Sequence, residues 1–415
     1  MENKFAKWGL KNQKEAKVTI REILEKMKKE LKNDDERPMI HLGHGDPSAY
    51  SSFRTTPVAE EAVNGALRSA KFNGYAPAAG LPESRRAVAE FLSKDLPYNL
   101  SEEDIFITAG AAHAIELILT VLAQPGANIL LPRPGYPSYE AHSSFVDLEV
   151  RHFDLFPEKD WEIDLDGVEA LADVNTVAMV VINPGNPSGS VFTWEHLRKI
   201  AETAKRLGIV LISDEVYYDL VFGGNKFVPM GVFGSVTPVV SLGTMSKRWL
   251  VPGWRLGWIA LSDPNGILEK SGITECIKNY RNISADSTTL IQGAIPEILE
   301  KTPKDFISNI VVLLREAADA CCSQIMEIPF LYLPQKPQGA MSTMVKLNLD
   351  MLEGIEDDMD FCFKLAKEES VLILPGSVLG LKNWLRISFA ADLASLEEGL
   401  HRIKAFCCRH SNMIM

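Results

Sequence analysis

Five short apolar runs through the middle of the chain, separated by helical or turn-forming stretches, constrain its fold more than any other feature. They are Ile105-Phe-Ile-Thr108, Asn128-Ile-Leu-Leu131, Val177-Ala-Met-Val-Val-Ile182, Ile209-Val-Leu-Ile212 and Val239-Val-Ser-Leu242. Runs this short and this continuously apolar suit strands buried on both faces. One connecting segment is marked at both ends as a helix. Thr193 caps it, Leu197, Ile200, Ala201 and Ala204 form its buried stripe, and Gly208 stops it. Such alternation predicts an α/β fold with a mostly parallel sheet flanked by helices. Ligands of such sheets bind at the carboxyl ends of the strands.

The two ends of the chain read differently. Ile20, Ile23, Leu24, Met27 and Leu31 fall at helical spacing between Val18 and Leu31, and the polar stretch Asn33–Arg37 breaks that pattern. Residues 1–16 are polar and expected to be loose. Beyond about residue 285 come long helical patterns, Ile291–Leu299 and Ile307–Ile325, and then a small α/β tail containing Met344–Leu349 and Asn383–Phe389. A chain of 415 residues is long enough for two domains with a large core.

A net charge of -12 argues against nucleic acid and against anionic membrane surfaces as partners. No run approaches membrane-spanning length, and the charged start Met-Glu-Asn-Lys has no apolar signal core, so a cytoplasmic location is expected. Cys276, Cys321, Cys322, Cys362, Cys407 and Cys408 fit neither a zinc ribbon nor a small disulfide scaffold and read as reduced thiols. No metal site is expected.

Against that acidic balance, positive charge gathers in Ser241-Leu-Gly-Thr-Met-Ser-Lys247-Arg-Trp-Leu-Val-Pro-Gly-Trp-Arg255-Leu-Gly-Trp258. A lysine just past a strand end, among the hydroxyls of Thr244 and Ser246 and eight residues before a fixed arginine, suits a Schiff-base cofactor that carries a phosphate. This string resembles the fold-type I pyridoxal phosphate (PLP) enzymes, and within them the tyrosine aminotransferase branch, notably its plant members. The resemblance runs from about residue 37 to 410.

Further motifs extend it. Asp214 ends a buried strand, where a carboxylate is costly without a cation. The resemblance implies that it pairs with the pyridine nitrogen of PLP, and that Tyr217 and Asn186 donate to the ring phenolate oxygen. Asn186 lies in Asn183-Pro-Gly-Asn186-Pro-Ser-Gly189, whose prolines make a rigid turn with a cis bond expected at Asn186-Pro187. Thr108-Ala-Gly110-Ala111-Ala112-His113 joins a strand to a helix, and helix-start N–H groups bind anions, here the cofactor phosphate. Relatives carry hydroxyl or thiol residues and a glutamine there, so this chain keeps only backbone donors; His113 is expected to pack more than to act.

Tyr136, in Pro132-Arg-Pro-Gly-Tyr136-Pro-Ser-Tyr139, matches the aromatic residue that stacks on the PLP ring. Arg386, in Asn383-Trp-Leu-Arg386, matches the clamp on the substrate α-carboxylate, for which guanidinium is the planar bidentate partner. Gly45, in Gly43-His-Gly45-Asp-Pro47, and Asn186 complete the substrate-binding set by resemblance; Gly43-x-Gly45 lacks the third glycine of a dinucleotide fingerprint. Tyr75 matches a tyrosine that reaches the partner subunit's cofactor, which implies a homodimer with shared sites.

The resemblance implies a large domain over 66–310 and a discontinuous small domain from 1–65 and 311–415. It implies transamination between an L-amino acid, tyrosine or phenylalanine by preference, and a 2-oxo acid, either 2-oxoglutarate or an aromatic one. Lys247 would be the general acid and base. A lysine amine is ordinarily too protonated for that near pH 7, and the charges of Arg248 and Arg255 are expected to lower its pKa. The same branch holds C–S lyases and nicotianamine aminotransferases, and the unusual Ala111-Ala112-His113 stretch leaves both open. A non-catalytic homologue is disfavoured, because Lys247, Asp214, Asn186, Tyr217, Arg255 and Arg386 are all present.

Overall fold

The structure, a computed structural model, describes residues 19–31, 37–284 and 286–412. The expectations for residues 1–16 and for Asn33–Glu36 lie outside the described residues. After a short first strand, β1 (Ile40–His41), come β2 (Ile105–Thr108), β3 (Asn128–Arg133), β4 (Glu149–Phe156) and β5 (Glu162–Ile163). They are followed by β6 (Thr176–Ile182), β7 (Val210–Asp214), β8 (Val239–Thr244) and β9 (Gly257–Ser262). The tail adds β10 (Leu331–Tyr332), β11 (Ser342–Leu347), β12 (Val371–Leu372), β13 (Leu374–Pro375) and β14 (Trp384–Ser388).

One eight-stranded sheet has the order β2-β9-β8-β7-β6-β3-β4-β5. From β8 through β7, β6 and β3 to β4 it is parallel, as the alternation of apolar runs and helices requires. The five apolar runs became β2, β3, β6, β7 and β8, buried along nearly their whole length. The connecting helix Trp194–Leu207 forms as expected. Thr193 Oγ1 accepts from His196 N at 3.1 Å, and Gly208 ends the helix at φ 69°. Its buried Leu197 and Ile200 face the sheet core, each contributing about 1.5–3 kcal/mol.

Two longer strands escaped the sequence reading, for different reasons. β4 (Glu149-Val-Arg-His-Phe-Asp-Leu-Phe156) is mostly half-exposed and carries charges, so it shows no apolar run. β9 is apolar but follows directly on the motif of Lys247 and Arg255, where a loop reading was natural. It lies antiparallel between β2 and β8, and Gly257 pairs with both Thr108 and Thr244. Glycine is required at that position: an added methyl would sit 2.7 Å from Gly243 O and 2.8 Å from the Gly110 carbonyl carbon. The close approach brings the ends of β2 and β8 together, and with them the Gly110 turn and the Lys247 segment.

The two chain ends pack with each other. The helix Ile20–Lys29 buries Ile23, Leu24 and Met27 in one cluster with Phe361, Leu372 and Leu400. β1 runs parallel to β12, while β10-β11-β14-β13 form an antiparallel sheet. Positions 65/66 and 310/311 both fall inside helices, Pro57–Ser69 and Lys304–Met326. Among the described residues no helix is long and apolar enough to cross a membrane. The six cysteines are free, four of them buried.

Candidate active site

The site lies where the carboxyl ends of β7 and β8 meet a strap from the N-terminal segment. The strap enters through backbone hydrogen bonds: Leu42 N donates to Leu372 O at 2.8 Å, and Ser388 N donates to Leu42 O at 2.7 Å. Residues 43–45 therefore cross between the small sheet and the end of β8.

Lys247 stands on a one-turn helix, Met245–Arg248, directly after β8, and its Nζ donates to the carbonyl of Gly45. A methyl group at Gly45 would lie 3.5 Å from Tyr217 Oη and 3.8 Å from Lys247 Nζ, so these three residues converge on one spot. Burial lowers the Lys247 amine to a pKa of about 8. Asp46 opposes the shift, Arg386 and Arg255 add to it, and Asp214 opposes it. The expected contribution of Arg248 is thus corrected to Arg386. Arg248 points elsewhere: it pairs with Asp219 at 3.2 Å and lies over the rings of Phe91, Tyr218 and Trp249 at 5.3–5.5 Å. Successive residues on one helical turn diverge by roughly 100°, so Lys247 and Arg248 cannot serve the same cavity.

Arg386 occupies the middle of β14 and is 4% exposed. Its Nη2 donates to Gly43 O at 2.7 Å and its Nη1 to Asn186 Oδ1 at 3.2 Å, while its Nε is buried without a hydrogen-bond partner. Burial depresses its pKa, and Tyr217 and Tyr136 oppose that. A buried guanidinium that meets only neutral acceptors and keeps an open donor is suited to an incoming carboxylate. Asn186 precedes a cis peptide bond to Pro187, as expected; Asn183-Pro184 and Arg133-Pro134 are also cis.

Asp214 ends β7, is 3% exposed, and accepts from Tyr139 Oη at 2.9 Å and Val216 N at 3.3 Å. Burial pushes its carboxyl up to about 6, against those two hydrogen bonds and the Lys247 charge. Tyr139 is a site residue that the motif around Tyr136 does not by itself single out. The available signal was its closeness to Tyr136: Tyr136 caps the helix Pro137–Phe145 in an extended conformation, and Tyr139 lies buried in its first turn. Tyr136 and Tyr139 line a cavity of about 730 Å³ that also meets Val378 and Leu379. Gly135 N donates to Leu379 O at 3.1 Å and ties the Tyr136 loop to that turn.

The second half of the site is the turn Thr108–Gly110 and the helix Ala111–Leu122. Gly110, at φ 78°, precedes the helix, whose start has no side-chain cap. A methyl group on Gly110 would lie 2.6 Å from Arg255 Nη2, so the guanidinium rests on this glycine. Arg255 also donates to Pro252 O at 2.8 Å and Ala109 O at 3.2 Å, and is exposed. Ala111 and Ala112 bring only their backbone N–H groups. His113 turns inward: its Nδ1 accepts from Ala109 N at 3.1 Å, which braces the turn. The hydroxyls of Thr244 and Ser246 are buried and 2.9 Å apart, and Thr244 also donates to Leu256 O at 2.8 Å.

Lys247, Gly45, Tyr217, Asn186, Arg386, Asp214 and Tyr136 thus surround one region. Gly110, Ala111, Ala112, Arg255, Thr244 and Ser246 form the adjoining polar end. Tyr75 joins neither group within this chain, since its side chain is 99% exposed. A PLP-sized group fits on chemical grounds. The lysine is depressed toward its nucleophilic form, the buried Asp214 carboxylate accepts from the neutral Tyr139 hydroxyl and Val216 N–H, and a guanidinium lies over an uncapped helix start.

Residues 37–403 match the family described as aminotransferase class I and II. Nicotianamine aminotransferase 1 of Oryza sativa subsp. japonica is 56% identical over 394 residues, 95% of this chain and 80% of that protein. S-alkyl-thiohydroximate lyase of Arabidopsis thaliana is 49% identical over 398 residues, 96% of this chain and 86% of that protein. The crystal structure of tyrosine aminotransferase from Leishmania infantum superposes with a TM-score of 0.89 at 30% identity, covering 97% of this chain and 99% of that one. The chain belongs to the class I and II aminotransferases, a fold-type I family whose members use PLP. Within that family it falls in the plant tyrosine aminotransferase-like branch.

Proposed function

We propose that this chain binds PLP and transfers an amino group between an L-amino acid and a 2-oxo acid, with tyrosine or phenylalanine the preferred donor. The acceptor would be 2-oxoglutarate or an aromatic oxo acid. The observation that carries this reading is the strap: two carbonyls, Gly43 and Gly45, hold the Arg386 guanidinium and the Lys247 amine two residues apart. Those are the groups that must meet one substrate's carboxylate and its Cα.

In this reading Lys247 holds the cofactor covalently, and Asp214, Tyr217 and Asn186 surround its ring. Tyr136 stacks on it, while Gly110, Ala111, Ala112, Thr244, Ser246 and Arg255 receive its phosphate. Bound PLP supplies an electron sink for the charge left when the substrate Cα loses its proton. Arg386 and Asn186 seize the α-carboxylate, and Arg386 leaves the Gly43 carbonyl for a charged acceptor, a stronger bond. Once the substrate's amine has taken its place on the cofactor, the freed Lys247 Nζ would take up the Cα proton; a pKa near 8 leaves an appreciable neutral fraction at neutral pH. Asp214 stays ionised once a cation meets it. Tyr75, exposed on its loop, serves the partner's site in a homodimer.

A second reading is kept because the Arabidopsis relative is named a lyase. After the same deprotonation, elimination at Cβ would release a thiol with an oxo acid and ammonia. A matrix of amino donors, including tyrosine, phenylalanine, nicotianamine and an S-alkyl cysteine whose Cβ carries the sulfur, against oxo acids separates these. Turnover led by aromatic donors supports the proposal. Preference for nicotianamine overturns the aromatic assignment, and thiol release without amino transfer overturns transamination.

A further inference from the structure

Gln292 is a buried amide that the proposed chemistry leaves unused. It sits in the helix Thr289–Lys301 and is 1% exposed. Its Oε1 accepts from Leu81 N at 2.8 Å, its Nε2 donates to Ser287 O at 2.9 Å, and its own carbonyl accepts from Ser84 Oγ at 2.7 Å. The two side-chain partners, Leu81 and Ser287, lead to different parts of the site. Leu81 closes the loop that carries Tyr75, and that loop also holds β2, because Ile107 N donates to Ala79 O at 2.9 Å. Ser287 leads to the guanidinium side: its hydroxyl donates to the carbonyl of Arg255 at 3.1 Å.

Arg255 needs such support. Its φ of 52° lies in the left-handed region, unfavourable for a residue with a Cβ and kept only where neighbours enforce it. The loop side is fitted as closely. Gly80 has φ 106°, and a methyl there would lie 2.5 Å from Ile107 Cγ1 and 3.2 Å from Gln292 Oε1. One amide therefore spans two segments that are far apart in sequence, and removing it leaves a half-buried N–H and a buried carbonyl without their partner.

We propose that Gln292 is a positioning residue for the phosphate end of the site, setting Arg255, through Ser287, and the Tyr75 loop at a fixed separation. This rests on the reading that Arg255 and the Gly110 turn receive the cofactor phosphate. The test compares binding of PLP and of pyridoxal, which lacks the phosphate, to apoprotein of the wild type and of Gln292→Leu. The wild type should prefer PLP, and Gln292→Leu should lose about tenfold or more of that preference while binding pyridoxal nearly as before. An unchanged ratio, or equal losses for both ligands, overturns the inference. A wild type without any preference overturns the phosphate reading and this inference with it. Should Gln292→Leu not fold, Ser287→Ala removes only the hydroxyl that holds Arg255. A several-fold fall in the ratio then supports the inference, and an unchanged ratio overturns it.

Discussion

Tyr139 donates its hydroxyl proton to Oδ2 of Asp214 across 2.9 Å, and both side chains are buried. That bond and one backbone N–H are the hydrogen bonds this carboxylate receives where β7 ends. Burial outweighs them, which is why its pKa is raised to about 6. A carboxylate held this way is a cost to the protein alone and an asset once a cation faces it.

The first prediction is a trade of function for stability at Asp214. The folded carboxyl titrates near 6 and the unfolded one near 3.8, so between these values the folded state binds more protons. Stability is therefore lost as pH rises through that window, and the cost persists above pH 6. Asp214→Asn should stabilise the apoprotein at pH 7.5 by on the order of 1–3 kcal/mol, with the gain vanishing near pH 4. It should also bind PLP more weakly. Denaturant unfolding at the two pH values measures the first effect; an apoprotein variant less stable than wild type at pH 7.5 contradicts it.

Lys247 carries the opposite sign. Burial favours its neutral amine, so the nucleophilic fraction should rise with pH through about 8, not above 10. Acylation of the apoprotein by a neutral reagent, followed at Lys247 by peptide mapping, should show a midpoint near 8. A midpoint close to that of an exposed lysine would mean the amine is solvated.

Arg386→Leu should raise KM for amino acids and oxo acids together, since both present the same α-carboxylate. Loss of the charged contact in a buried site should cost on the order of 2–5 kcal/mol. Steady-state kinetics on both half-reactions decide this; an effect on one co-substrate alone would assign Arg386 to side-chain recognition.

Much of the site was legible because its residues sit at ends of apolar runs, where composition changes abruptly: Asp214 after Ile212, Lys247 after Leu242, Gly110 after Ile107. Arg386, between Trp384 and Ile387, was legible by the same contrast. What was not legible depends on three-dimensional contact. The strap interaction of Gly43 with Arg386 joins residues 343 positions apart, and Tyr139 acts on Asp214 from 75 positions away. Arg248 misled because sequence adjacency to Lys247 says nothing of which way a side chain leaves a single helical turn. β4 was hidden by its charges and β9 by the motif before it.

Tyr75, almost fully exposed on a loop anchored at Leu81 by Gln292, should act across a two-fold axis. Subunits carrying Tyr75→Phe mixed with subunits carrying Lys247→Ala should regain activity, because the heterodimer then has one site with both defects and one with neither. Verified heterodimers without recovery, alongside a clear loss in the Tyr75→Phe homodimer, would place Tyr75 in its own subunit's site.

The most direct test of the central claim is Lys247→Ala, purified with added PLP and followed by visible absorbance and by transamination of tyrosine. The expected variant is a folded protein that does not hold PLP covalently, lacks the wild-type visible band and shows no turnover above background. Near-normal transamination by that variant would contradict the claim.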